Sequence, residues 1–283
     1  MKKVGFIDYY LDEWHANNYP KFLKDASDGR YEVCFAYGMI DSPIGGMTNR
    51  EWAEKYGVTL LDTIEEVIEK SDVLIVLSPD NPEMHEVLTE LPLQSGKLVY
   101  VDKTFAPDKA SALRIFENAD KHGTKCYSSS ALRFSAELDE IHTEDIYKLY
   151  STGVGTYEMY SIHQIEPIVR LMQTEAKRVM FLGDMEHPSM LIEFADGRTV
   201  QMLQVTKWTR DRDCAFAIDV IDKENHAAEY AIKSDYFALF IKELVAFFDT
   251  GVIPVAHEDT IQVIAIREAG LKAAKIPYTW IEV

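Results

Sequence analysis

The chain has little positive charge, little cysteine and no long apolar run. Across its 283 residues, 29 Lys plus Arg stand against 47 Asp plus Glu, a net charge of −18 at neutral pH. No cluster of Lys or Arg reverses the sign locally. A phosphate backbone or an anionic bilayer therefore meets repulsion, and neither nucleic acid nor membrane is expected as a partner. Nothing approaches the roughly 20 consecutive apolar residues of a membrane span. The segment Met1-Lys2-Lys3-Val4-Gly5-Phe6-Ile7-Asp8 opens as a secretion signal does, but its apolar run stops at Asp8 and reads as a first β-strand. The three cysteines, Cys34, Cys126 and Cys214, are odd in number and far apart. Their spacing suits neither a metal site nor a redox pair, so buried free thiols in a cytoplasmic protein are expected. There is no His-Glu-x-x-His pattern, and no metal is expected. What remains, 47% hydrophobic and 27% charged residues, is the composition of an ordinary folded protein with one large domain or two of middling size.

The first 130 residues alternate short apolar runs with amphipathic stretches. Strands are expected at Val4 to Asp8, Val33 to Tyr37, Val73 to Ser78, Leu98 to Asp102 and Lys125 to Ser129. Helices are expected at Asp12 to Lys24, Arg50 to Tyr56, Ile64 to Lys70, Pro82 to Leu91 and Pro107 to His122. Continuous apolar strands separated by helices belong to a parallel sheet covered on both faces, so residues 1–125 read as a doubly wound, Rossmann-like α/β domain. A linking helix near Ala136 to Leu149 then opens a second domain, 126–283. It has a helix from about Ser161 to Gln173 and strand-like runs at Arg178 to Leu182, Ser189 to Phe194, Thr199 to Trp208, Ala215 to Asp222 and His226 to Ile232. Their short polar turns are those of hairpins, which predicts an α+β domain with a mainly antiparallel open sheet. Helices at Phe237 to Phe248 and Thr260 to Lys275 and a strand near Tyr278 to Glu282 complete it.

A doubly wound domain invites a search for loop glycines after the first strand, where the backbone must approach a dinucleotide's pyrophosphate at a helix N-terminus. The segment Ile7-Asp8-Tyr9-Tyr10-Leu11-Asp12-Glu13-Trp14-His15 has none. Asp8, Tyr10, Asp12 and Glu13 stand there instead, and the simplest reading is a helix capped by Asp12. The second strand ends Phe35-Ala36-Tyr37-Gly38, with no acid for a ribose. Lys103, at the end of the fourth strand, sits on the ligand edge of such a sheet, either as a group that polarises an oxygen or as a solvated side chain.

Three segments in order, Ser78-Pro79-x-Asn81-x-x-x-His85, Asp102-Lys103-Thr104 and Ser128-Ser129-Ser130-Ala131-Leu132-Arg133-Phe134, resemble the Gfo/Idh/MocA family of NAD(P)-dependent oxidoreductases. The stretch from Tyr236-Phe237 through Gly251-Val252-Ile253-Pro254 to Glu258-Asp259 resembles that family's closing segment. The resemblance implies NAD or NADP on the first domain, with Ile7, Asp8, Tyr10, Ser78, Pro79, Asn81, His85, Asp102 and Lys103 at the cofactor positions. It implies a sugar, inositol or related polyol against the second domain, Lys103 near substrate and cofactor, and a homo-oligomer through the C-terminal sheet.

The family's Asp-x-x-x-His element is matched by His163, with Glu166 as the later acid, but Met159 stands where the Asp would be. His163, Glu166 and Arg170 share a helix face. The resemblance implies that His163 takes a hydroxyl proton, as an imidazole that titrates near neutrality can. The other reading is a structural His163/Glu166 pair. Glu158 and Tyr160 are expected in an extended segment, Tyr160 and Glu166 beside the substrate. Trp208 and Arg210 suit a sugar as a stacking plane with a fork of donors, or form an exposed charged loop. Two functions follow: a hydride-transferring oxidoreductase on a CH–OH group, or a non-catalytic relative that binds a ligand or partner and has lost the cofactor.

Overall fold

The computed structural model describes residues 1–206 and 215–283; Trp208, Arg210 and Cys214 lie outside them. Two compact units are present, one of Met1–Ser129 with Phe240–His257, the other of Ser130–Leu239 with Glu258–Val283.

The first unit has strands β1 (Lys2–Asp8), β2 (Tyr31–Gly38), β3 (Thr59–Leu60), β4 (Val73–Val76), β5 (Val99–Val101) and β6 (Cys126–Tyr127). Its helices are α1 (Trp14–Ala26), α2 (Asn49–Tyr56), α3 (Ile64–Lys70), α4 (His85–Thr89) and α5 (Lys109–His122). The strands pair in parallel in the order β3-β2-β1-β4-β5-β6. All four residues of β4 and all three of β5 are buried, as strands with helices on both faces must be. Helix ends follow local chemistry. Thr48 and Glu51 form a reciprocal capping box at α2, and α5 runs from an Asp108 cap to Gly123, whose φ of +66° suits a residue without Cβ. In this strand order, side chains at the carboxyl ends of β1, β4 and β5 gather where a doubly wound sheet binds its ligand.

The second unit has β7 (Ile146–Val154), α6 (Tyr157–Met172), β8 (Ala176–Leu182), β9 (Ser189–Phe194), β10 (Thr199–Val205), β11 (Ala217–Asp222) and β12 (Ala227–Ala231). Helices α7 (Tyr236–Thr250) and α8 (His257–Ala273) and strand β13 (Trp280–Glu282) follow. The sheet order is β12-β11-β7-β10-β9-β8-β13, antiparallel throughout except for the parallel pair of β10 with β7. Helix α6 buries Tyr157 and the apolar residues from Ile162 to Met172 together with Ser161, Gln164 and Glu166, and Gln164 bonds Ser151 of β7 at 2.9 Å. Gly270 of α8 lies against the Tyr157 hydroxyl with no room for a methyl group. From Phe240 onward, α7 belongs to the first unit, where Phe240 packs on Tyr19 and Tyr100 and Phe247 on Tyr127.

The α/β class, the parallel sheet and the mainly antiparallel second sheet agree with the sequence reading, and four local expectations are corrected. Residues 136–149 are not a helix: two 3₁₀ turns, Ala136–Glu140 and Thr143–Asp145, lead straight into β7. Helix α6 begins at Tyr157 instead of Ser161, so Glu158, Met159 and Tyr160 are helical and not extended. Helix α1 is capped by Glu13; Asp12 turns away to bind the Met47 N–H at 2.7 Å and Asn17 Nδ2 at 3.0 Å. Pro82–Leu91 is a 3₁₀ turn followed by the five-residue α4.

Candidate functional site

At the mouth of the parallel sheet, β1 delivers Asp8, β5 delivers Asp102, and the first turn of α1 delivers Glu13 and His15. All four are buried. His15 Nδ1 lies 2.5 Å from Asp102 Oδ2, and Tyr100 donates to Asp102 Oδ1 at 3.0 Å. Burial alone would raise Asp102, but the His15 ring and its hydrogen bond bring it down to about 2. Asp8 has no such cation. Burial first, then the Glu13 charge, push its carboxyl well above the usual range, and its Oδ2 has no hydrogen-bond partner among the described residues. Burial likewise raises Glu13 to about 7 against the pull of His15.

In doubly wound folds this mouth binds ligands, and a dinucleotide's pyrophosphate would not fit helix α1 as the chain builds it. The bare N–H groups of a first helical turn are what such an anion binds. Here Glu13 Oε2 accepts the His15 N–H at 2.6 Å, and Oε1 accepts the Ala16 N–H. Tyr10 and Leu11 are buried where loop glycines would let the backbone approach.

The other residues expected at cofactor positions are placed as follows. Ile7 is buried in β1. Ser78, just past β4, holds φ +95° and donates to Asn81 O at 3.0 Å; for a residue with a Cβ this left-handed backbone costs about 1–3 kcal/mol. Asn81 itself donates to Glu83 at 3.0 Å. His85 is fully buried with its two ring nitrogens on the carbonyls of Leu77 (2.7 Å) and Phe105 (3.0 Å), which ties the ends of β4 and β5 together. Lys103 is half-buried, Nζ 3.5 Å from Pro79 O.

In the second unit, α6 presents His163 one turn before the fully buried Glu166. His163 Nδ1 is 2.6 Å from Ser130 Oγ, and the Ser130 N–H donates to Glu166 Oε1 at 3.3 Å. Arg133, itself buried, reaches Glu166 Oε2 at 3.3 Å and pairs with Asp259 of α8. The Tyr160 ring stands edge-on to the His163 imidazole, centroids 5.4 Å apart. Met159, at the position of the missing acid, is 42% exposed. A relay Asp259–Arg133–Glu166–Ser130–His163 therefore fixes the imidazole without that acid. Ser130, Arg133 and Asp259 lie in segments that carry the family resemblance, but nothing in the sequence ties them to His163 and Glu166; the 3₁₀ turn Ala131–Phe134 brings the first two onto α6.

Burial pushes Glu166 from 4.5 up to about 7, outweighing Arg133. A carboxyl raised on folding stabilises most below its unfolded value and loses that contribution as pH rises through about 7. At about 1.4 kcal/mol per pH unit, this shift is worth about 3 kcal/mol. Glu166→Gln is therefore expected to flatten the decline in unfolding free energy between about pH 5 and pH 8, as urea titrations at the two pH values would show; an unchanged slope contradicts the assignment.

No family model and no curated protein sequence matches the chain. Solved structures do. Myo-inositol dehydrogenase from Lactobacillus casei, in complex with NAD(H) and myo-inositol, is similar with a TM-score of 0.82 and 12% identity over 100% of this chain and 96% of that one. Myo-inositol 2-dehydrogenase from Lactobacillus plantarum gives 0.78 and 14%, covering 100% and 99%, and apo scyllo-inositol dehydrogenase from Lactobacillus casei gives 0.75 and 15%, covering 99% and 98%. At such identities the likeness is one of fold, and it runs over the full length of the chain.

Proposed function

We propose that the chain is an oxidoreductase of the Gfo/Idh/MocA kind acting on a CH–OH group of a sugar, an inositol or a related polyol. The observation that carries this reading is the 2.6 Å contact of His163 Nδ1 with Ser130 Oγ, braced by Glu166 and Arg133. Oxidation of a carbinol carbon removes a proton from oxygen and a hydride from carbon. In the tautomer whose Nδ1–H donates to Ser130 Oγ, Nε2 is the basic nitrogen, and it takes the hydroxyl proton. Lys103 is the second reactive group of this reading, its ammonium stabilising charge on the substrate oxygen. Glu166 and Tyr160 are assigned to the substrate side in this reading. NAD or NADP would supply the hydride acceptor of this reading. The reading carries with it a cytoplasmic homo-oligomer assembled through the second sheet, which light scattering checks for its size.

The Glu13 cap favours a second reading, a ligand-binding or partner protein that keeps the fold without the cofactor. Reduction of NAD or NADP by purified protein over a panel of inositols and sugars separates the two: turnover supports the oxidoreductase, and its absence at saturating nucleotide supports the binding protein.

A further inference from the structure

A Rossmann unit holds a dinucleotide largely by one device, the uncapped first turn of the helix after β1, reached over a loop of glycines. In this chain each part of that device has a different occupant. The two first-turn N–H groups of His15 and Ala16 are already bonded to the Glu13 carboxylate. The tip of β1 is Asp8, 1% exposed, with Oδ2 unpartnered. Asp102 adds a third carboxyl at the end of β5, in contact with His15.

The loop is also fastened in place. The Leu11 N–H donates to Asn49 Oδ1 at 2.9 Å, and Asn49 Nδ2 donates back to the carbonyls of Gly38 (3.1 Å) and Ile40 (2.7 Å). Asp12 holds the Met47 N–H. Residues 8–13 thus form a bonded structure of their own, tied to the segment after β2, and not a glycine loop with a few substitutions.

We infer that the Glu13 carboxyl group fills the pyrophosphate seat, its two oxygens on the first-turn N–H groups, and that, with the ionised Asp102 nearby, it bars a dinucleotide's diphosphate from helix α1. A nicotinamide nucleotide then gains nothing from its diphosphate on this chain. The inference concerns binding alone and stands apart from the proton chemistry assigned to His163.

Calorimetric titration of the full chain with ADP-ribose, adenosine and NADH tests it. Wild-type protein is expected to bind ADP-ribose no more tightly than adenosine, and NADH no more tightly than about millimolar. Asp8→Gly combined with Glu13→Ser, whose serine keeps a helix cap, is expected to tighten ADP-ribose at least about tenfold. Glu13→Gln, which keeps the carboxamide oxygen in the seat but not the charge, is expected to give a smaller gain. Wild-type binding of ADP-ribose below about 10 μM overturns the inference whatever the variants do. So does a variant that melts as a folded protein and gains no affinity. Turnover is not read, so failure here leaves the oxidoreductase reading intact, and loss of that reading leaves this one intact.

Discussion

If the proposed oxidoreductase reading holds, His163→Ala is expected to lower turnover on a CH–OH substrate by about 10²–10⁴-fold, the usual contribution of a positioned general base, with little change in melting temperature. The imidazole is not part of the buried core, so its removal leaves no large cavity. On that reading its loss is chemical: the group proposed to receive the hydroxyl proton is gone. Ser130→Ala keeps the base but frees its orientation, because Ser130 Oγ is the group at His163 Nδ1. A smaller fall is expected there, together with a displaced alkaline or acid limb of the pH–rate profile. A purely structural Ser130 would leave the profile where it was. Initial rates across pH for both variants decide the matter.

Arg133→Met is expected to cost about 3–5 kcal/mol of stability at pH 8, the usual cost of leaving one member of a buried pair uncompensated. Arg133 is 8% exposed and stands between Glu166 and Asp259. Glu166, raised to about 7 by burial, is charged at pH 8 and protonated at pH 5. The loss should therefore shrink markedly at pH 5, where the buried partner no longer needs a cation. It should also shrink at pH 8 when Glu166→Gln is added, since the orphaned charge is then absent. Urea unfolding of the single and double variants at the two pH values reads the coupling; equal losses at both would contradict it.

The parts of the fold legible in the sequence were those where one physical signal dominated. Val73–Val76 is buried on every residue, and an unbroken apolar run has few other readings. Ile64–Lys70 carries its Thr63 cap and matched to the residue. The failures came where two signals competed. In 136–149 the buried Leu138, Ile141, Ile146 and Leu149 are spaced as on a helix, while Tyr147, Tyr150 and Thr152 favour a strand, and pairing with β10 and β11 decided for the strand. Strand β3 has two residues and no pattern to read.

At the site, His163, Glu166 and Lys103 stood out by type and place. Their pairing with Ser130, Arg133 and Asp259 did not. Ser130 and Arg133 lie 33 residues from His163 and Glu166, and Asp259 lies 126 from Arg133, so only folding brings them together. His15 and Asp102 are likewise joined across the sheet mouth. The acidity of residues 8–13 was visible in the sequence, but not that Glu13 would turn its carboxylate onto its own helix.

The most direct test of the account is the rate of NAD(P)H formation by wild-type protein and His163→Ala, measured with saturating nucleotide over a panel of inositols and sugars. Reduced nucleotide from at least one polyol, lost on removal of His163, is the result the account predicts. Nucleotide binding without reduction by any polyol, or turnover that survives the loss of His163, would contradict it.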